Sequence, residues 1–201
     1  MMHRRDALRA LAVSAGLHWL DRMDLDQIIR LGERLHARAR LAPGQAAGVL
    51  GERLQEIVMI AAERIIPASD TPGATDAGVT AFIDRMLAEW YDAAERDRLL
   101  AGLADLDARG RTRHGRDFAA LGESDQLALM TMLDSEAAAA RRIPPAERGG
   151  APEHWFSTFK FLVVWGYCTS EVGMRETLGD WPLAGRYDGC APHEATETRQ
   201  R

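Results

Sequence analysis

The stretch Val79-Thr80-Ala81-Phe82-Ile83-Asp84-Arg85-Met86-Leu87-Ala88-Glu89-Trp90 decides the fold class. Its large apolar residues are Val79, Phe82, Ile83, Met86, Leu87 and Trp90, at spacings i, i+3, i+4, i+7, i+8 and i+11. A period of about 3.6 lines one face of an α-helix, whereas a half-buried strand alternates at every second residue. Thr75 or Asp76 is placed ahead of this stripe to cap its first turn.

The same period continues upstream. Leu25, Ile28, Ile29 and Leu35 mark one face of a helix expected from about Asp24 to Ala39, broken by Leu41-Ala42-Pro43-Gly44. A second helix is expected from about Gln45 to Ile66, with Leu50, Leu54, Ile57, Val58, Ala61 and Ile65 on its stripe and Pro67 as its stop. Downstream, Leu99, Leu103 and Leu106 mark a helix ending near Arg109-Gly110, and the polar run from Gly110 to Arg116 reads as a loop. Ser124 is placed to cap a helix running through Leu129, Met130 and Leu133 into Ala137–Ala140. Arg141 to Pro152, with three prolines and two glycines, reads as a linker.

The composition changes after that linker. Eight of the thirteen aromatic residues lie between Trp155 and Tyr187. From Trp155 to Gly166 the apolar residues run right round the helix, so this helix should be buried on most sides. No segment alternates like a strand and no repeat of 20–50 residues is present. The reading is all-α: a compact single-domain helical bundle with an irregular C-terminal tail. Residues 1–23 form an N-terminal arm, 24–190 the helical domain and 191–201 a polar tail.

The chain of 201 residues is long enough for one sizeable core. No apolar run is long enough for a transmembrane helix. The net charge is -5, which argues against a nucleic-acid partner, since such proteins carry a basic domain or stripe. The sign is uneven: residues 1–40 hold eight Arg against five acids. The arm opens His3-Arg4-Arg5-Asp6, and twin arginines before an apolar stretch suggest a twin-arginine export signal. Arg9 interrupts the apolar region, and cleavage after Val13-Ser14-Ala15 leaves little apolar core. A degenerate, uncleaved arm packed as a helix is the competing expectation.

Catalytic motifs are sparse. Neither G-x-G-x-x-G nor G-x-x-x-x-G-K-[ST] nor G-x-S-x-G occurs. Glu33-Arg34-Leu35-His36 is a single E-x-x-H, where a di-iron bundle needs two copies and further carboxylates; a helical metalloenzyme using Glu33 and His36 is one alternative reading, and a free-standing helical interaction protein is another. Cys168 and Cys190 stand 22 positions apart. They admit two free thiols, an intrachain disulfide, a bond to a partner chain, or a metal cluster with His193.

Two segments stand out. In Ile65-Ile66-Pro67-Ala68-Ser69-Asp70-Thr71-Pro72-Gly73-Ala74, Pro72-Gly73 has the residues of a type II turn, with Gly73 at positive φ. Asp70 is placed to bond the amides just after it. The stretch suits a rigid helix connector or a partner-docking loop. In Gly166-Tyr167-Cys168-Thr169-Ser170-Glu171-Val172-Gly173, a close-packing glycine leads to a polar helix end, which suits a core or an interface.

These segments, in order with Gly78-Val79-x-x-Phe82-Ile83-Asp84, Gly102-Leu103-x-x-Leu106-Asp107 and Leu183-x-Gly185-x-Tyr187-x-Gly189-Cys190, resemble the gluconate 2-dehydrogenase subunit 3 family. The resemblance covers most of the chain. It implies a non-catalytic small subunit, without cofactor, catalytic or metal residues of its own. Its partner would be a large FAD-dependent dehydrogenase subunit of the GMC oxidoreductase type, with a multihaem cytochrome c as an indirect partner. The resemblance implies that the small subunit helps the large one mature and supplies the twin-arginine signal that takes both to the periplasm, with membrane association only through the complex. The Arg-interrupted arm departs from that pattern, and a non-functional signal would leave the chain in the cytoplasm. Asp70, Thr71, Pro72, Gly73, Tyr167, Thr169, Glu171 and Tyr187 are the candidate contact or loop-shaping residues.

Overall fold

A helix that is apolar on every side must be wrapped by others, and the fold is built around one. In the computed structural model, residues 25–41, 48–143, 149 and 152–177 are described. They form α1 (Leu25–Leu41), α2 (Glu52–Ile65), α3 (Val79–Glu89), α4 (Ala93–His114), α5 (Glu123–Arg142) and α6 (Trp155–Thr169). A 3-10 turn spans Phe118–Ala120 and a π turn Gly173–Thr177. The described residues contain no strand, so the fold is all-α, as the 3.6-residue period requires. None of their helices is long and apolar enough to cross a membrane.

α6 packs against each of α1 to α5. Phe156, Phe159, Phe161, Leu162, Val163, Trp165 and Tyr167 are all buried. At roughly 1.5–3 kcal/mol for each large side chain withdrawn from water, this helix dominates the core. Three glycines set how closely neighbours approach. A Cβ on Gly166 would lie 2.7 Å from the Phe82 ring, and one on Gly32 would lie 2.5 Å from the Thr169 hydroxyl. The place of a Gly102 side chain is filled by the Trp155 ring. The stripe that opened the sequence reading is buried at Val79, Phe82, Ile83, Met86 and Leu87. Trp90 departs from it: it is the residue at which α3 ends, the chain turns away, and its side chain is 46% exposed.

Several boundaries differ from the sequence expectation for tertiary reasons. α2 begins at Glu52, not near Gln45, because the Leu50 amide is drawn to the Asp84 carboxylate of α3 at 2.8 Å. Thr75 and Asp76 do not cap α3. Its N-cap is Gly78 at φ +68°, a left-handed conformation suited to glycine. α4 runs through the expected 110–116 loop to His114 and ends at Gly115, also at φ +68°. Gly110 is a packing glycine, since a Cβ there would lie 3.0 Å from the Phe118 amide. The start of α4 carries a capping box: Glu95 N–H donates to Asp92 Oδ1 at 2.8 Å, and Asp92 N–H donates back to Glu95 Oε2. For α5 the N-cap is Gly122, and Ser124 already lies inside the helix. The 1–23 arm and the 191–201 tail lie outside the described residues.

The start of α6 is capped by a titratable side chain. His154 is its N-cap, and Nδ1 accepts the Phe156 amide at 3.3 Å. That role requires an unprotonated Nδ1. Burial lowers the His154 pKa from 6.5, with Arg109 acting in the same sense and Glu136, Asp105 and Glu153 opposing. A folded-state pKa below the unfolded one favours the neutral form. Its contribution is full above about pH 6.5 and is lost as pH falls through the folded value. His154→Asn, which caps without titrating, is expected to flatten the stability profile between pH 7 and 5 in thermal melts. An unchanged slope would assign the dependence to other groups.

Candidate functional site: a braced connector between α2 and α3

The connector begins where Pro67 stops α2 and ends where Gly78 starts α3. Its backbone is not a type II turn. Gly73 is absent from the residues with positive φ. Thr71 C=O accepts from Ser69 N–H at 2.9 Å instead of from Ala74, whose N–H reaches back to Ile66 C=O at 3.0 Å. The result is a broad loop closed at its base.

Glu63, on the last turn of α2, holds that loop from behind. Its carboxylate accepts from Ala68 N–H (2.8 Å), Thr75 N–H (2.9 Å) and the Thr75 hydroxyl (2.7 Å). Burial works to raise its pKa, but the donors from Thr75 and Ala68 outweigh it, and the carboxyl lies below the usual range. The sign follows: this bracing is complete above about pH 4.5 and weakens as acid protonates the carboxylate. Thr75 is thus spent on Glu63, and Asp76 accepts the Gly73 amide at 3.2 Å, which is why neither caps α3. Gly73 is buried and needed for space. A Cβ would lie 2.7 Å from the Ala68 amide and strike the Glu63 carboxylate.

The second segment meets this loop. The Tyr167 hydroxyl on α6 donates to Pro72 C=O at 2.7 Å across 95 positions. Tyr167→Phe is expected to cost about 1 kcal/mol, the usual net worth of one hydrogen bond. The loss should appear in urea unfolding together with faster exchange of the Ala74 amide. Unaltered exchange there would show that the hydroxyl does not brace the loop.

The other expected residues divide. Asp70 is exposed and accepts from the Ser69 hydroxyl at 2.9 Å, not from the amides that follow it. Thr169 is buried facing Gly32 of α1, its hydroxyl donating to Trp165 C=O at 2.8 Å. Glu171 is exposed and pairs with Arg175 at 2.7 Å. Cys168 is half-buried against the core. Tyr187 and Cys190 lie outside the described residues, and with them the pairing of Cys168 and Cys190. His36, the nominated metal ligand, is buried. Its Nε2–H donates to Gly166 C=O at 2.7 Å and its ring stacks on Phe82 with centroids 4.9 Å apart. The described residues hold no group of three or more His, Cys, Asp or Glu side chains that could hold a metal ion.

A second polar centre escaped the sequence reading. Asp107 on α4 is buried, its side chain only 5% exposed. Asp107 Oδ2 accepts from Arg53 Nε (3.0 Å) and Nη2 (2.5 Å) of α2 and from Arg111 Nη2 (2.5 Å). Oδ1 accepts the Phe118 amide at 2.9 Å. Asp117 closes the set, pairing with Arg53 at 2.9 Å and with Arg111 at 2.5 Å. Hydrogen bonds from Arg111 and Arg53 lower the Asp117 pKa. The cluster staples α2, α4 and the 3-10 turn, and it lines a polar pocket of about 180 Å³ with Glu56, Ile57, Ala119 and Ala120. Its sequence signal was an Asp on the apolar stripe of α4, one residue past Leu106.

The family model for gluconate 2-dehydrogenase subunit 3 matches residues 53–189. That span runs from Arg53 of the staple through the connector and Tyr167. No curated protein and no solved structure matches the chain. The two segments that carry the resemblance are joined in space, and the match covers more than half of the chain. The chain belongs to the gluconate 2-dehydrogenase subunit 3 family.

Proposed function

We propose that the chain is the non-catalytic small subunit of a gluconate 2-dehydrogenase-like complex. It binds and stabilises a large FAD-dependent alcohol or sugar dehydrogenase subunit and assists its maturation. FAD resides in that partner, and a cytochrome c subunit joins the complex through it. The Arg4-Arg5 arm directs the pair to the periplasm. Family membership supports the dehydrogenase-complex part of this reading. The observation that carries the binding role is the braced connector. Its backbone is fixed by Glu63 and Tyr167 while Pro67, Ala68, Ser69 and Asp70 are exposed. A loop held rigid by the scaffold behind it is a common way to present binding residues.

The test is co-expression of the large subunit with and without this chain. Soluble, FAD-loaded large subunit, read from its flavin absorbance, is expected to fall several-fold without it. Equal yield and equal loading would refute the maturation role. Export is read separately, by fractionating cells that carry Arg4→Lys/Arg5→Lys. Retention of both subunits in the cytoplasm is expected, and unchanged export would remove the arm from the mechanism.

A further inference from the structure

α1 and the connector are both held by the last turn of α6. Gly166 C=O on that turn accepts from His36 Nε2–H of α1 at 2.7 Å, across 130 positions. Thr169 fills the space that the missing side chain of Gly32 leaves on α1. Leu31, Leu35 and His36 are buried. Between these two contacts Tyr167 turns to the connector and donates to Pro72 C=O. Residues three apart share a helix face, and the residue between them points about 100° away. One turn therefore offers separate faces to α1 and to the connector.

That turn has two ways to close. The Ser170 N–H bonds Tyr167 C=O at 3.1 Å, three positions back, and the Ser170 hydroxyl donates to the same carbonyl at 2.7 Å. An ordinary α-helical ending would send the Ser170 N–H to Gly166 C=O, four positions back. Gly166 is buried and its carbonyl carries His36 instead. Without His36, that carbonyl either lacks a donor or takes Ser170 back. Taking Ser170 back undoes the tighter 3-10 ending and shifts Tyr167, and a hydrogen bond to Pro72 tolerates little displacement. α3 gives a second link. The His36 ring stacks on Phe82, and α3 opens where the connector ends, with Val79 N–H on Ala74 C=O at 3.2 Å.

We propose that α1 and the connector form one cooperative unit. His36 on Gly166 C=O holds the end of α6 in the form that lets Tyr167 brace Pro72. α1 is then a clasp whose seating orders the connector, with residues 166–170 as the two-state element between them. The coupling is a property of this chain alone. Only its use, presenting an ordered connector to a flavoprotein subunit, rests on the accessory-subunit reading above.

The test is amide hydrogen exchange on the full chain, unaltered and as His36→Phe, which keeps a ring against Phe82 and removes the donor. The Ala74 and Thr75 amides are expected to exchange about fivefold faster or more. The amides of Leu129, Met130 and Leu133, buried in α5, should exchange as before. Linkage makes the effect reciprocal. Tyr167→Phe is therefore expected to speed the Leu35 and His36 amides of α1 together with that of Ala74. Acceleration confined to α1 in His36→Phe, and to the connector in Tyr167→Phe, would overturn the proposal. Equal acceleration everywhere, α5 included, would also overturn it, because the loss would then be one of global stability. None of these readouts involves a flavoprotein, so the coupling and the accessory role stand or fall separately.

Discussion

Asp107→Ala is expected to lower the unfolding free energy by about 3 kcal/mol, as befits removal of one partner from a buried charged network. Three consequences add up. The Phe118 amide is buried and loses its only described acceptor, Asp107 Oδ1. Arg53 and Arg111, each about half exposed, lose one of the two carboxylates they share, keep Asp117, and can regain part of the difference from water. The 3-10 turn that seats Phe118 in the core loses its tie to α4. Arg53→Ala is expected to cost less, because it leaves Arg111 and the Phe118 amide on Asp107. Urea unfolding of the two single variants and the double variant closes a cycle. A coupling energy near zero, or a loss below about 1 kcal/mol for Asp107→Ala, would reduce the staple to an ordinary surface ion pair.

Gly73→Val is expected to have a comparable effect, about 3 kcal/mol, through space and not through φ. Overpacking costs about 1–3 kcal/mol. Here the added carbon also displaces the Glu63 carboxylate, whose three bonds hold the loop. Gly73→Ala already introduces the offending atom, so it is expected to retain most of the penalty. Hydrogen exchange gives a specific readout. The Ala68 and Thr75 amides should lose protection in Gly73→Ala while the α6 amides keep theirs. Full protection at both positions would show that the loop accommodates a Cβ.

These two sites show how far the sequence could be read. The stripe from Val79 to Leu87 and the all-round apolar α6 were legible because periodicity is a local property. Each residue's face follows from its number along the helix. The connector was legible as unusual, since Pro67, Pro72 and Gly73 are strong punctuation. Its conformation was not. Thr75, Asp76 and Asp70 are good local hydrogen-bonding residues, but which donor or acceptor each meets depended on Glu63 and on the base of the loop. His36 beside Glu33 read as half a metal motif, and only the packing of α1 on α6 revealed that its ring is bonded to Gly166 and stacked on Phe82.

The glycines make the same point. Gly110 and Gly115 are equally plausible helix ends by residue type. The left-handed cap falls at Gly115, while Gly110 makes room for the Phe118 turn. By itself, the sequence determined the helical class, the buried faces, the central helix and the family, all of which rest on periodicity and ordered motifs. Only the tertiary structure decided that Pro72 and Tyr167 meet, that Glu63 and Asp107 hold the chain together, and that Gly73 is chosen for space. Those outcomes depend on partners from 4 to 95 positions apart, and competition among polar groups is settled by the fold that brings them together.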